Sequence, residues 1–186
     1  YEREEIKDAI AFLKLVANEQ DEVAFRRVVN KPSRGVGAVT ETRLIHEAVR
    51  RGGNLIETAA AAESFLSARA AKAVLSFVAV YRRVREALGG ESLAAFVEEI
   101  IEASGLGEYH EKRDEVAGKQ RLQNLEELVN AASLYPGSAE GLVEFLESIE
   151  LDSARESDDG DPDRVTLITM HNTKGLEFDR VIITGM

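Results

Sequence analysis

Along most of the chain, apolar residues return every three or four positions, the period of a helix with one buried face. Ile6, Ile10, Leu13 and Val16 make one such stripe and predict a helix over 2–17. Asp21 opens a short helix carrying Phe25, Val28 and Val29, which Asn30-Lys31-Pro32 ends, because a proline pushes the preceding residue out of the helical region. Thr40 is placed to cap a helix that runs to about Arg51 and stops at Gly52-Gly53. Ala70, Val74, Phe77, Val78 and Tyr81 mark the inner side of a long helix over 66–88, stopped by Gly89-Gly90. Ser92 caps a helix that closes at Ser104-Gly105, Lys119–Ser133 forms another, and Ser138 caps Ala139–Ile149.

The pattern then changes. Asp152–Asp163 (DSARESDDGDPD) is acidic, poor in apolar residues and broken by Gly160 and Pro162, and predicts a flexible linker. After it, Val165–Thr169 and Val181–Thr184 are short, β-branched runs of the kind found in buried parallel strands. The fold class expected is mainly α, with a helical subdomain joined to part of an α/β domain. The chain opens inside a helical pattern and closes on a strand, so a fragment of a longer protein is expected.

Composition narrows the function classes. Hydrophobic residues are 44% and charged residues 31%, a globular balance. No apolar run approaches the roughly 20 residues of a membrane helix, no signal-peptide pattern opens the chain, and a cytoplasmic location is expected. There is no cysteine, and His46, His110 and His171 have no metal-ligand spacing, so no metal site is expected. With 23 Lys and Arg against 34 Asp and Glu, the net charge of −11 argues against a broad nucleic-acid-coating surface. A local phosphate site built from backbone amides is compatible with it.

Two segments could form such sites. In KPSRGVGAVTETR (31–43), two helices flank a Gly-Val-Gly turn. Gly35 and Gly37 permit torsions that other residues avoid. The turn's N–H groups and the N-terminus of the following helix can converge on an anion. Arg34 would add a charge-assisted contact, and Thr40 either caps the helix or donates to a phosphate oxygen. A helix–hairpin–helix element grips a nucleic-acid backbone in this way without reading sequence. A plain helix–helix connection with no ligand is the alternative. The second segment is the loop Thr169–Phe178, which places Thr169, His171 and Lys174 just beyond a strand's carboxyl end, where parallel α/β sheets bind ligands. An ordinary surface loop is its alternative. Elsewhere, Asn124 could fix a helix end or bond a neighbouring backbone, and Glu126 and Glu127 read as a solvated face. Lys112, Arg113, Lys119 and Arg121 form a modest basic cluster diluted by acidic neighbours. No G-x-x-x-x-G-K-[ST] phosphate loop is present, so the chain alone should not hydrolyse a nucleotide, and no catalytic residue is expected in it.

Together these segments resemble superfamily 1 DNA helicases of the UvrD, PcrA and Rep group. YEREEIKDAIAFLKLVAN resembles the region of motif IV, NKPSRGVG the family's Arg-Gly-Ile-Gly element with Val36 for isoleucine, and RLQNLEELVNAA a helix of the inserted subdomain. VTLITMHNTKGLEFDRVIITG resembles motif V, whose pattern is T-x-H-x-x-K-G-L-E-F. The resemblance implies a piece of an ATP-dependent 3′-to-5′ DNA helicase, with residues 1–30 in the second RecA-like motor domain. Residues 31–160 would be the inserted helical subdomain, and 161–186 the return to the motor with motif V. It implies that Thr169 and His171 meet single-stranded DNA, that Gly175 and Glu177 lie at ATP, and that Lys174 supports the loop. Arg34, Gly35, Gly37 and Thr40 would meet duplex DNA. ATP and Mg2+ are then cofactors of the parent protein. The expected partners are single-strand and duplex-junction DNA, the first motor domain, and repair or replication proteins. The other readings are a free-standing helix–hairpin–helix DNA-binding module and a helical protein-interaction module.

Overall fold

A computed structural model describes residues 3–113, 117–156, 168 and 180–182. Among them the chain forms nine α-helices and one 3-10 turn, and no strand. The helices are α1 (Glu4–Ala17), α2 (Glu22–Val28), α3 (Ala38–Arg50), α4 (Leu55–Ala60), α5 (Ala68–Ala87), α6 (Leu93–Ser104), α7 (Leu106–Lys112), α8 (Gly118–Ala132) and α9 (Ala139–Glu156). The protein is mainly helical, as the periodicity predicts. Of the two expected strands, the described residues Ile168, Val181 and Ile182 belong to no regular element, and the others lie outside the described residues.

Local chemistry sets most boundaries. Asp21, Asn54, Ser67 and Ser92 each accept a hydrogen bond from the backbone N–H three residues on, satisfying a donor the helix start leaves open. Gly105, at φ +77°, turns the chain from α6 directly into α7. The Ser104–Gly105 stop is therefore present, and a further short helix starts immediately after it. Two short helices went unread in the apolar pattern, α4 and α7, of six and seven residues. At the other end, α9 continues to Glu156 and overlaps the predicted linker. Ala154, Arg155 and Glu156 are good helix formers, and the breakers Gly160 and Pro162 come later.

One hydrophobic core joins these helices, and α1 lies inside it. Phe12, Leu13 and Leu15 are fully buried, and α1 packs against α2, α6, α7, α8 and α9. Phe77 of α5 is the hub of an aromatic group, with ring centroids 6.1 Å from Phe12, 5.8 Å from Phe25 and 6.5 Å from Tyr81. The Tyr81 hydroxyl donates to Glu19 at 2.8 Å, and burial followed by that carboxylate pushes the phenol's pKa well up. The core runs across residue 30 without a break: α1 and α2 share it with everything from Val36 to Ile149.

Candidate nucleic-acid interface

The segment between α2 and α3 is organised by one side chain. Asn30 Oδ1 accepts from the backbone N–H of Arg34 at 2.8 Å and of Val36 at 3.1 Å, which folds 30–36 into a compact turn. Val36 then plugs into the core at 1% exposure, and the Lys31–Pro32 peptide is cis. Gly35 sits at φ +85°, a conformation that favours glycine. Gly37 differs from expectation: its φ of −81° is open to any residue, and an added Cβ would meet nothing within 4 Å. Gly37 is instead the N-cap of α3, with Glu41 N–H donating to its carbonyl at 3.0 Å. Thr40 is therefore inside the first turn of α3 and does not cap it.

Gly37 has no side chain to offer, so the first N–H groups of α3 receive no side-chain cap. Ala38 and Val39 of that first turn line a shallow depression together with Thr42, Arg43 and His46. Glu41, the acidic residue of that turn, is engaged by Arg26 at 2.7 Å. The surface at the start of α3 thus combines uncapped amides with an exposed arginine and histidine. Sequence reasoning missed Arg43 and His46, although their spacing from Val39 puts all three on one helix face.

Arg34 lies differently from the expected phosphate ligand. Its guanidinium donates to the carbonyls of Pro32 at 3.0 Å, Val28 at 3.3 Å and Ser104 at 2.9 Å. It also stands 5.8 Å over the Phe77 ring. Burial lowers its pKa from the ordinary arginine value. Lys31 is turned inward as well, with Nζ 3.0 Å from Glu4 and 3.0 Å from Asp8.

Behind the turn runs a polar seam along α1. Asp8, fully buried, accepts from Arg27 at 2.7 Å, from Lys31, and from His110 Nε2 at 2.9 Å. A carboxylate can only accept, so that histidine nitrogen carries the proton. Glu5 is 3% exposed and accepts from Asn124 at 2.6 Å, and Arg3 donates to the same asparagine. Asn124 therefore bonds neighbouring side chains across the core, while Glu126 and Glu127 lie on the solvated face expected for them. Lys31 and then Arg113 hold the Glu4 carboxyl down at about 2. Of the modest basic cluster, Arg113 pairs with Glu4 and Lys112 with Glu108.

Among the described residues no group of three or more His, Asp or Glu could hold a metal ion, and no helix is long and apolar enough to cross a membrane. Thr169, His171, Lys174, Gly175 and Glu177 lie outside the described residues.

The model of the UvrD-like helicase C-terminal domain matches residues 1–186, and the chain belongs to that family. It is 36% identical over 193 residues to DNA helicase II of Haemophilus influenzae, covering 100% of this chain and 26% of that protein. It is 35% identical to DNA helicase II of Escherichia coli, covering 27% of it. With the ATP-dependent DNA helicase PcrA of Staphylococcus aureus it shares 29% identity, covering 26% of it. The chain spans about a quarter of the length of the curated relatives it matches.

Proposed function

We propose that this chain is the DNA-contacting, regulatory part of an ATP-dependent 3′-to-5′ DNA helicase, inactive as a motor by itself. The observation that carries the reading is the turn 30–37, which delivers an uncapped helix start to the surface on a chain related along its full length to DNA helicases. In this reading Gly35, Gly37 and Thr40 meet duplex phosphates through the backbone of the turn and the first turn of α3, with Arg34 in the turn that presents them. Thr169 and His171 contact single-stranded DNA, Gly175 and Glu177 contact ATP, and Lys174 supports their loop. ATP and Mg2+ belong to the whole protein, together with its first motor domain, and the setting is cytoplasmic. The helical body is the inserted subdomain. The burial of α1 in its core supports counting α1 with that subdomain rather than with the motor.

The test is a pair of titrations with this chain, one with a duplex or forked DNA and one with a single strand. Weak binding with a preference for duplex is expected. With few phosphates neutralised, log affinity should fall against log salt with a slope of about −2 to −4. A slope near −8, a single-strand preference, or DNA-stimulated ATP hydrolysis by the chain alone would each overturn the reading.

A further inference from the structure

We infer that Arg34 is a positioning residue, a clamp that holds the glycine turn from inside and leaves phosphate contact to other groups; the inference rests on the proposed duplex-binding role of that turn. Three carbonyls from three places meet its guanidinium: Val28 at the end of α2, Pro32 within the turn, and Ser104 at the end of α6. Ser104 is 70 residues away in sequence, so this one side chain ties the turn to a distant helix end. The last carbonyls of a helix lack intrahelical partners and carry partial negative charge, and an arginine suits them well. Phe77 closes one face of the guanidinium, placing the clamp against the aromatic hub of the core.

The backbone of the same residue closes the turn from the other side, through its N–H to Asn30 Oδ1 at 2.8 Å. Arg34 is thus held at both ends, and moving its guanidinium to a DNA phosphate would leave the Pro32 and Ser104 carbonyls to find new donors, while Val28 would keep only the Lys31 N–H at 3.1 Å. Planarity matters here. The guanidinium presents five donors in a fixed fork, whereas a lysine is a point charge with a compact head. A lysine at 34 could still attract a phosphate but could not bridge Val28, Pro32 and Ser104 together.

That difference makes the test. Arg34→Lys and Arg34→Ala are compared with the unaltered chain, at a temperature where all are folded, by duplex titration over a salt series and by hydrogen exchange at the Val36 amide. For a clamp, both variants speed exchange at Val36 and weaken duplex binding by about tenfold, comparable to the loss of one charge-assisted hydrogen bond. Neither variant changes the salt slope. For a phosphate ligand, lysine largely restores affinity, and alanine makes the slope shallower by about 0.9; either result overturns the inference. Unchanged exchange at Val36 overturns it too, as does unchanged affinity in a folded variant. If the variants do not fold, the side-chain resonances of Arg34 are followed in the unaltered chain as duplex is added: a clamp keeps its shifts, and a phosphate ligand moves. If the unaltered chain binds no duplex, the proposed function of the turn fails, and the exchange result still decides whether Arg34 holds it.

Discussion

The two sides of α1 are held in opposite ways. Toward α5 it presents Phe12, packed on the Phe77 aromatic group, and Leu13 and Leu15 are buried with it. Toward α2, α7 and α8 it presents Glu4, Glu5 and Asp8, joined to Arg27, Lys31, His110, Asn124 and Arg113. The apolar side gains from burying area and does not depend on direction. The polar side depends on every partner being present. A buried carboxylate stripped of its donors costs more than the intact group contributes. One side supplies the larger part of stability, and the other sets where α2, the turn and α7 sit relative to α1.

The sharpest way to break this contrast is at Phe77. Phe77→Ala removes the shared partner of Phe12, Phe25 and Tyr81 and should lower stability by about 3–5 kcal/mol, read by denaturant unfolding. A loss under about 1 kcal/mol would mean that the aromatic group is not the centre of the core. Next comes Asp8→Asn, which keeps the shape while removing the charge that Arg27, Lys31 and His110 share. A loss of about 1.5–3 kcal/mol is expected. If it proves neutral, the seam is not registering α1.

Asn124→Leu sharpens the same point by leaving the Glu5 carboxylate buried without its amide donor, at a cost of about 1–3 kcal/mol. Adding Glu5→Leu should recover most of that loss, since apolar replacement of both partners can be close to neutral. No recovery would show that the site cannot repack. The smallest effect belongs to Glu4, partly exposed and screened by solvent. Glu4→Gln should cost about 0.5–1 kcal/mol near neutral pH. Because its folded pKa is depressed, that contribution is complete above the ordinary value of 4.5 and is lost as pH falls through about 2. Stability curves of the variant and the unaltered chain should converge over that acid window, and a constant gap would remove Glu4 from the seam.

The helical class, most helix boundaries and the apolar side of α1 were legible in the sequence because period and capping are local. Asp21, Ser92 and the Ser104-Gly105 stop act on residues within a few positions of themselves. The turn at 30–37 was legible as a turn for the same reason. Its family likeness was legible too, since motif order survives in a single chain, and the full-length family match agrees with it.

What the sequence by itself determined, then, is seven of the nine helices among the described residues and where the glycine turn falls between them. Tertiary structure decided which charges face inward. Glu5, Asp8, Lys31 and Arg34 look like solvated or ligand-seeking groups until partners arrive from 19 to 119 residues away. No local pattern encodes that arrival, least of all when the partner is a backbone carbonyl such as that of Ser104, which every residue type possesses. The same holds for the placement of α1. Its stripe announces a buried face, but only the packing of α2, α6, α7, α8 and α9 around it makes both faces buried, because burial is a property of the assembled helices and not of any one of them.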